Sequence, residues 1–234
     1  MRDDRNSLDV LYEDNHLLAV NKPAMLPTMG VGDDRESLLT VAKEYVRRMY
    51  NKPGNVYLGI VSRLDAPVTG LVLLEKTSKA AARLSEAFRT RRVEKTYLAV
   101  VEGVPAESTA VLEHYLRKDE RHRKVHATHD ACPDAQLARL EYRTLSAGNG
   151  MSLVEVALET GRKHQIRVQL AKIGHPIVGD RKYGSTTLLA NGIALHAYRL
   201  ELEHPVRRDP LQLVAPIPRV WRRHGEINRL LPPE

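Results

Sequence analysis

Between residues 95 and 161 four segments follow one another with no helical period between them: "KTYLAVVEG", "AVLEHYLRK", "ARLEYRTLSAG" and "SLVEVALETG". Each has the β-branched content and alternation of a half-buried strand. Parallel neighbours need a crossover of about a dozen residues or more, so strands this closely spaced pair as antiparallel neighbours. The last two meet at "AGNG", an Asn-Gly hairpin signal. Earlier, "LDVLYED" and "HLLAVNKP" read as two short strands, and "TGLVLLEKT" as a buried one. "IALHAYRLELEHP" is a further strand near the end. Helices fill the remainder. One runs from Glu36 to Tyr50, its apolar residues Leu38, Leu39, Ala42, Tyr45, Val46 and Met49 at helical spacing; another, which Ser78 can cap, runs to about Arg89 with Ala81, Leu84 and Phe88 inward. A third, from about Arg162 to Ile173, ends at Gly174, and the tail around "RVWRRHGEINRLL" allows one short helix at most. With no repeat, low-complexity stretch or long linker, the fold class is α+β, a large mostly antiparallel mixed sheet flanked by helices and loops.

The 234 residues, 42% of them hydrophobic, can bury a sizeable core and are read as one domain, 1–234. No apolar run reaches about 18 residues, so no membrane span is expected. "MRDDRNSLDV" has no apolar stretch after its charges, and the single cysteine, Cys132, allows no intrachain disulfide. Together these predict a cytoplasmic protein. Lysine and arginine exceed aspartate and glutamate, 36 against 29, for a formal charge of +7, which favours a polyanionic partner such as nucleic acid. Aromatic residues make up only 5%, too few for serial base stacking along a single strand.

Three stretches carry more charge than a fold requires. In "SRLDAPVTG", Arg63 and Asp65 would share one face of an extended chain and place an acid and a base together; an isolated R-x-D is otherwise a salt-bridged turn. In "VEKTYLAVVEG", Lys95 and Tyr97 likewise share a face, opposite Thr96 and Leu98. In "ETGRKHQIRVQLAKIGHPIVGDRKYG", Thr160 is a candidate N-cap, yet Arg162, Lys163 and His164 occupy the predicted first turn, where the helix dipole disfavours cations. A bound phosphate would reverse that penalty, and Arg167 follows a turn later. His122, His126, His129 and Cys132 have spacings that could fit zinc, but their polar setting reads better as a flexible basic loop touching RNA or solvent.

Taken together, these stretches resemble the RluA-type RNA pseudouridine synthases, whose pattern at the reacting aspartate is H-R-L-D-x-x-T-S-G. "LLAVNKPAMLPT", "EKTYLAVVEG", "TGRKHQIRVQLAKIGHPIVGDRKYG" and "LHAYRLELEHP" match in family order from about residue 8 to 205. The resemblance implies the pseudouridine synthase fold around a central basic cleft. It implies that Asp65 is the reacting carboxylate, Tyr97 lies against the target base, Arg167 pairs with Asp65, and Arg63 fills the space left by a flipped nucleotide. Lys95, Arg162, Lys163 and His164 would bind RNA. Ser62 stands where the family has histidine, Val68 where it has threonine, Thr69 where it has serine, and Ala66 where a basic residue is common. These departures bear on substrate preference more than on activity. The expectation is a monomeric stand-alone synthase acting on structured tRNA or rRNA, with no separate N-terminal RNA-binding domain, no metal and no cofactor. The alternatives are a non-catalytic RNA-binding or chaperone protein on the same fold, and a hydrolase of the glycosidic bond that would release free uracil.

Overall fold

The computed structural model describes residues 8–30, 36–128 and 130–233. In chain order its elements are β1 (Val10–Glu13), β2 (Leu17–Lys22), α1 (Leu38–Met49), β3 (Gly59–Ile60), β4 (Thr69–Glu75), α2 (Ser78–Arg89), β5 (Glu94–Glu102), β6 (Thr109–Asp119), β7 (Lys124–Thr128), β8 (Gln136–Gly148), β9 (Met151–Leu158), α3 (Gln165–Lys172), β10 (Leu195–Glu203), β11 (Pro210–Val214), α4 (Arg219–Arg223) and α5 (Gly225–Asn228). The class is the α+β one expected, rich in antiparallel strands and with few helices. Packing divides the chain into two compact units. The first runs up to Val93 and resumes over Ala197–Pro216; the second holds Glu94–His196 and Ile217 onward.

In the first unit β2 lies between β1 and β4, both antiparallel to it, with β3 on β4 and β11 antiparallel on β10. Strand β4 is buried along its whole length, as its near-continuous apolar run requires. Its Leu71 and Leu73 pack with Leu17 and Ala19 of β2, Ala80 and Leu84 of α2, and Leu200 and Leu202 of β10. Each such leucine contributes about 1.5–3 kcal/mol by leaving water. Gly70 has φ 110° and lies so close to Ala197 that a Cβ would overlap its backbone. Helix α1 starts at a capping box, Ser37 with Thr40, and buries Leu38, Ala42 and Val46. Helix α2 is capped by Thr77 and not by the expected Ser78, because the Thr77 hydroxyl oxygen is the one that accepts the Ala80 N–H.

The second unit runs β5-β9-β8-β6-β7, every neighbouring pair antiparallel. Asn149 and Gly150 turn β8 into β9 with φ 53° and 71°, the pair of positive angles that a tight hairpin needs. Helix α3 is buried from Gln165 to Leu170. The segment expected as a flexible basic loop instead contains a strand, β7, held by Val125 in a cluster with Leu116, Ala138, Val168 and Tyr183. Its charged residues hid an edge strand. The tail holds two short helices, one more than expected, and the first of them carries the fully buried Trp221, edge-on to the ring of His196.

Candidate active site

Asp65 sits in irregular chain, not in a strand, between β3 and the start of β4. Its carbonyl accepts the Val68 N–H at 3.1 Å, so Asp65 opens a tight turn. Leu64 is buried, Arg63 is exposed and Asp65 is half-buried. The peptides on both sides of Asp65 are pinned from the last residue of β2 and the segment after it. The buried Thr28 hydroxyl donates to the Leu64 carbonyl at 2.8 Å and accepts the Leu64 N–H at 3.1 Å. The fully buried Lys22 donates through Nζ to the carbonyls of Pro23, Leu26 and Ala66 at 2.9, 2.8 and 3.1 Å. Three acceptors match the three N–H bonds of an ammonium. Burial pulls Lys22 down to about 7, and the charge of Asp65 pulls the other way.

The second unit carries the other expected residues. Lys95 and Tyr97 are half-buried on one face of β5, with Thr96 and Leu98 buried on the other, as the alternation predicts. Burial lowers the pKa of Lys95. Its Nζ lies 3.6 Å from where a Cβ on Gly161 would sit, so it reaches the loop that holds Arg162, Lys163 and His164.

That loop precedes α3 and does not form its first turn, a correction to the expected start at Arg162. His164 adopts the left-handed conformation, φ 55° and ψ 19°, which interrupts the helical run and costs about 1–2 kcal/mol. Thr160 is not an N-cap: its hydroxyl donates to Oε1 of Gln165 at 2.8 Å, and the same oxygen accepts the Arg162 N–H at 3.0 Å. The Gln165 amide closes the loop by donating to the Arg139 carbonyl. Arg162 and Lys163 are exposed, though Nε of Arg162 donates to the Leu137 carbonyl.

Arg167 is buried on α3 and forms a two-pronged ion pair with Asp180, Nε to Oδ2 at 2.6 Å and Nη2 to Oδ1 at 2.9 Å. A paired carboxylate is what lets a guanidinium remain charged and fixed at 5% exposure. Lys22, Thr28 and Asp180 are partners that sequence reasoning did not single out. Only their presence inside the quoted motifs could have signalled them. Among the described residues no group of three His, Cys, Asp or Glu is arranged for a metal. Asp119 instead engages His122 at 2.8 Å and His126 at 3.4 Å, and His129 lies outside the described residues.

The first unit carries a half-buried carboxylate on a pinned turn, and the second carries basic side chains on a strand and on the loop before α3. The profile of the RNA pseudouridylate synthase family matches residues 16–172. An uncharacterized RNA pseudouridine synthase of Bacillus subtilis is 34% identical over 216 residues, 90% of this chain and 69% of its own. A ribosomal large subunit pseudouridine synthase D of Nitrosomonas europaea is 36% identical over 221 residues, 90% of this chain and 62% of its own. The chain thus spans about two thirds of the length of such curated relatives. Among solved structures, human RNA pseudouridylate synthase domain containing 4 superposes with a TM-score of 0.80 at 28% identity, covering 97% of this chain and 95% of that one. This chain belongs to the RNA pseudouridylate synthase family, whose members are isomerases.

Proposed function

We propose that the chain converts specific uridines of structured tRNA or rRNA to pseudouridine, with Asp65 as the reacting carboxylate. The observation that carries this is the fixation of Asp65: Thr28 and Lys22 bind the residues on either side of it, and its side chain is left half-exposed. In the reaction the C1′–N1 bond breaks, the base turns, and a C1′–C5 bond forms. The C5 proton leaves to solvent and N1 gains one, so atoms balance without an oxidant or water. An ionised carboxylate serves either route to bond cleavage, attack on C1′ or removal of the 2′ proton to give a glycal.

Tyr97 lies against the base in this reading, Arg167 pairs with Asp65, and Arg63 enters the gap left by the flipped nucleotide. Flipping costs a few kcal/mol, offset by phosphate contacts from Lys95, Arg162, Lys163 and His164. The protein works as a cytoplasmic monomer without metal or cofactor. Among the described residues no helix is long and apolar enough to cross a membrane.

The test is release of tritium from RNA carrying 5-tritiated uridine. The purified chain should release tritium and no free uracil, and Asp65→Asn should release neither. Free uracil would establish the hydrolytic reading instead. RNA binding with no tritium release from any tRNA or rRNA would establish the non-catalytic one.

A further inference from the structure

Tyr183 joins three parts of the second unit that the reaction scheme leaves unconnected. It follows Asp180 in the chain, within a short 3-10 turn, and is only 8% exposed. Its hydroxyl oxygen accepts the Val125 N–H of β7 at 3.1 Å and shares a hydrogen bond of 2.7 Å with Nδ1 of His164. Its ring centre lies 5.1 Å from Cζ of Arg167 and 5.4 Å from Nζ of Lys124, both within cation–π reach. Lys182, its neighbour, donates to the Arg123 carbonyl, so the turn also grips the tip of the β6–β7 hairpin.

Each of these interactions constrains something that Asp180 does not. The carboxylate fixes the Nε–Nη2 edge of Arg167, an edge about which the guanidinium plane could still tilt on these two bonds alone. An aromatic face beside the plane resists that tilt. His164 holds a backbone conformation that an L residue rarely adopts, three residues before Arg167, and such strain persists only where the surroundings over-determine it. The Tyr183 hydroxyl is one such restraint, and through Val125 it fixes His164 relative to the hairpin.

We propose that Tyr183 is a positioning residue for Arg167: the ring sets the tilt of the guanidinium, and the hydroxyl locks His164 and the β6–β7 hairpin to that setting. This rests on the assignment of Arg167 to Asp65 under the proposed function. Tyr183 reaches RNA only through His164, so loss of its ring is read in kcat beyond any change in RNA affinity.

The experiment compares wild type, Tyr183→Phe and Tyr183→Leu in single- and multiple-turnover tritium release, with RNA affinity by anisotropy and folding by circular dichroism and melting. Phenylalanine keeps the ring and loses the hydroxyl; leucine loses both. The expected result is a kcat lower by about tenfold for Phe and by about a hundredfold for Leu, the scale of misplacing a reacting group by about 1 Å. Both variants free His164, so KM and RNA affinity should weaken by only a few-fold and to the same extent in both, while kcat falls further in Leu than in Phe. Wild-type kcat in Phe, or a loss confined to KM and affinity, overturns the proposal while the assigned reaction stands. If Leu does not fold, Phe alone decides. An inactive wild type overturns the assigned reaction, and this proposal with it.

Discussion

Asp65 keeps its geometry because Lys22, 44 residues before Ala66 in the chain, and Thr28, 36 residues before Leu64, hold the peptides beside it. Replacing Lys22 by methionine leaves three carbonyls without their donor, at about 1–3 kcal/mol for each that stays buried. Lys22→Met should therefore lower the melting temperature, and it should cut turnover more than RNA affinity, measured side by side. The opposite case is Glu75, fully buried at the end of β4 with neither carboxyl oxygen in a well-formed hydrogen bond. Burial raises it from 4.5 to about 7, offset only in part by the nearby N–H groups of Glu75 itself and Val61. Between those pH values the native state binds more protons than the unfolded state, so stability falls as pH rises through the window. Above it the penalty is complete, on the order of 3 kcal/mol. Glu75→Leu should raise stability to urea at pH 8 and flatten its change between pH 4.5 and 7; an unchanged pH dependence would mean that Glu75 stays ionised throughout.

At the scale of elements, Gly70 shows how closely β4 and β10 approach. A side chain there meets both a φ of 110° and the backbone of Ala197, so Gly70→Ala should cost at least about 2–3 kcal/mol, read as a lower denaturant midpoint. Much of this architecture was legible in the sequence. Strands β5, β6, β8 and β9 announced themselves by alternation and by the Asn-Gly turn, and β4 by its apolar run. Strand β7 did not, because an edge strand with one buried valine and mostly polar neighbours has the composition of a loop. The start of α3 was misplaced by three residues because a left-handed histidine leaves no mark that composition or periodicity can register. In the candidate site, the R-x-D before a buried strand singled out Asp65, and the role proposed for it comes from the family resemblance. The support of Asp65 by Lys22 and Thr28 was not legible, since those hydrogen bonds span the chain.

For the whole molecule, a formal charge of +7 makes RNA affinity salt-dependent, and the residues responsible can be counted from the slope. Arg162→Ala with Lys163→Ala should reduce the log–log salt slope by about 0.9 for each duplex phosphate that the protein no longer neutralises, borrowing the DNA value. An unchanged slope removes both from the binding face. These effects surround one claim, that Asp65 converts uridine in RNA. The most direct measurement maps pseudouridines chemically in cellular RNA from a strain lacking the gene, complemented with wild type or with Asp65→Asn. One or a few sites should vanish in the deletion and return with wild type alone; an unchanged map, or sites restored by Asp65→Asn, would contradict the role of Asp65.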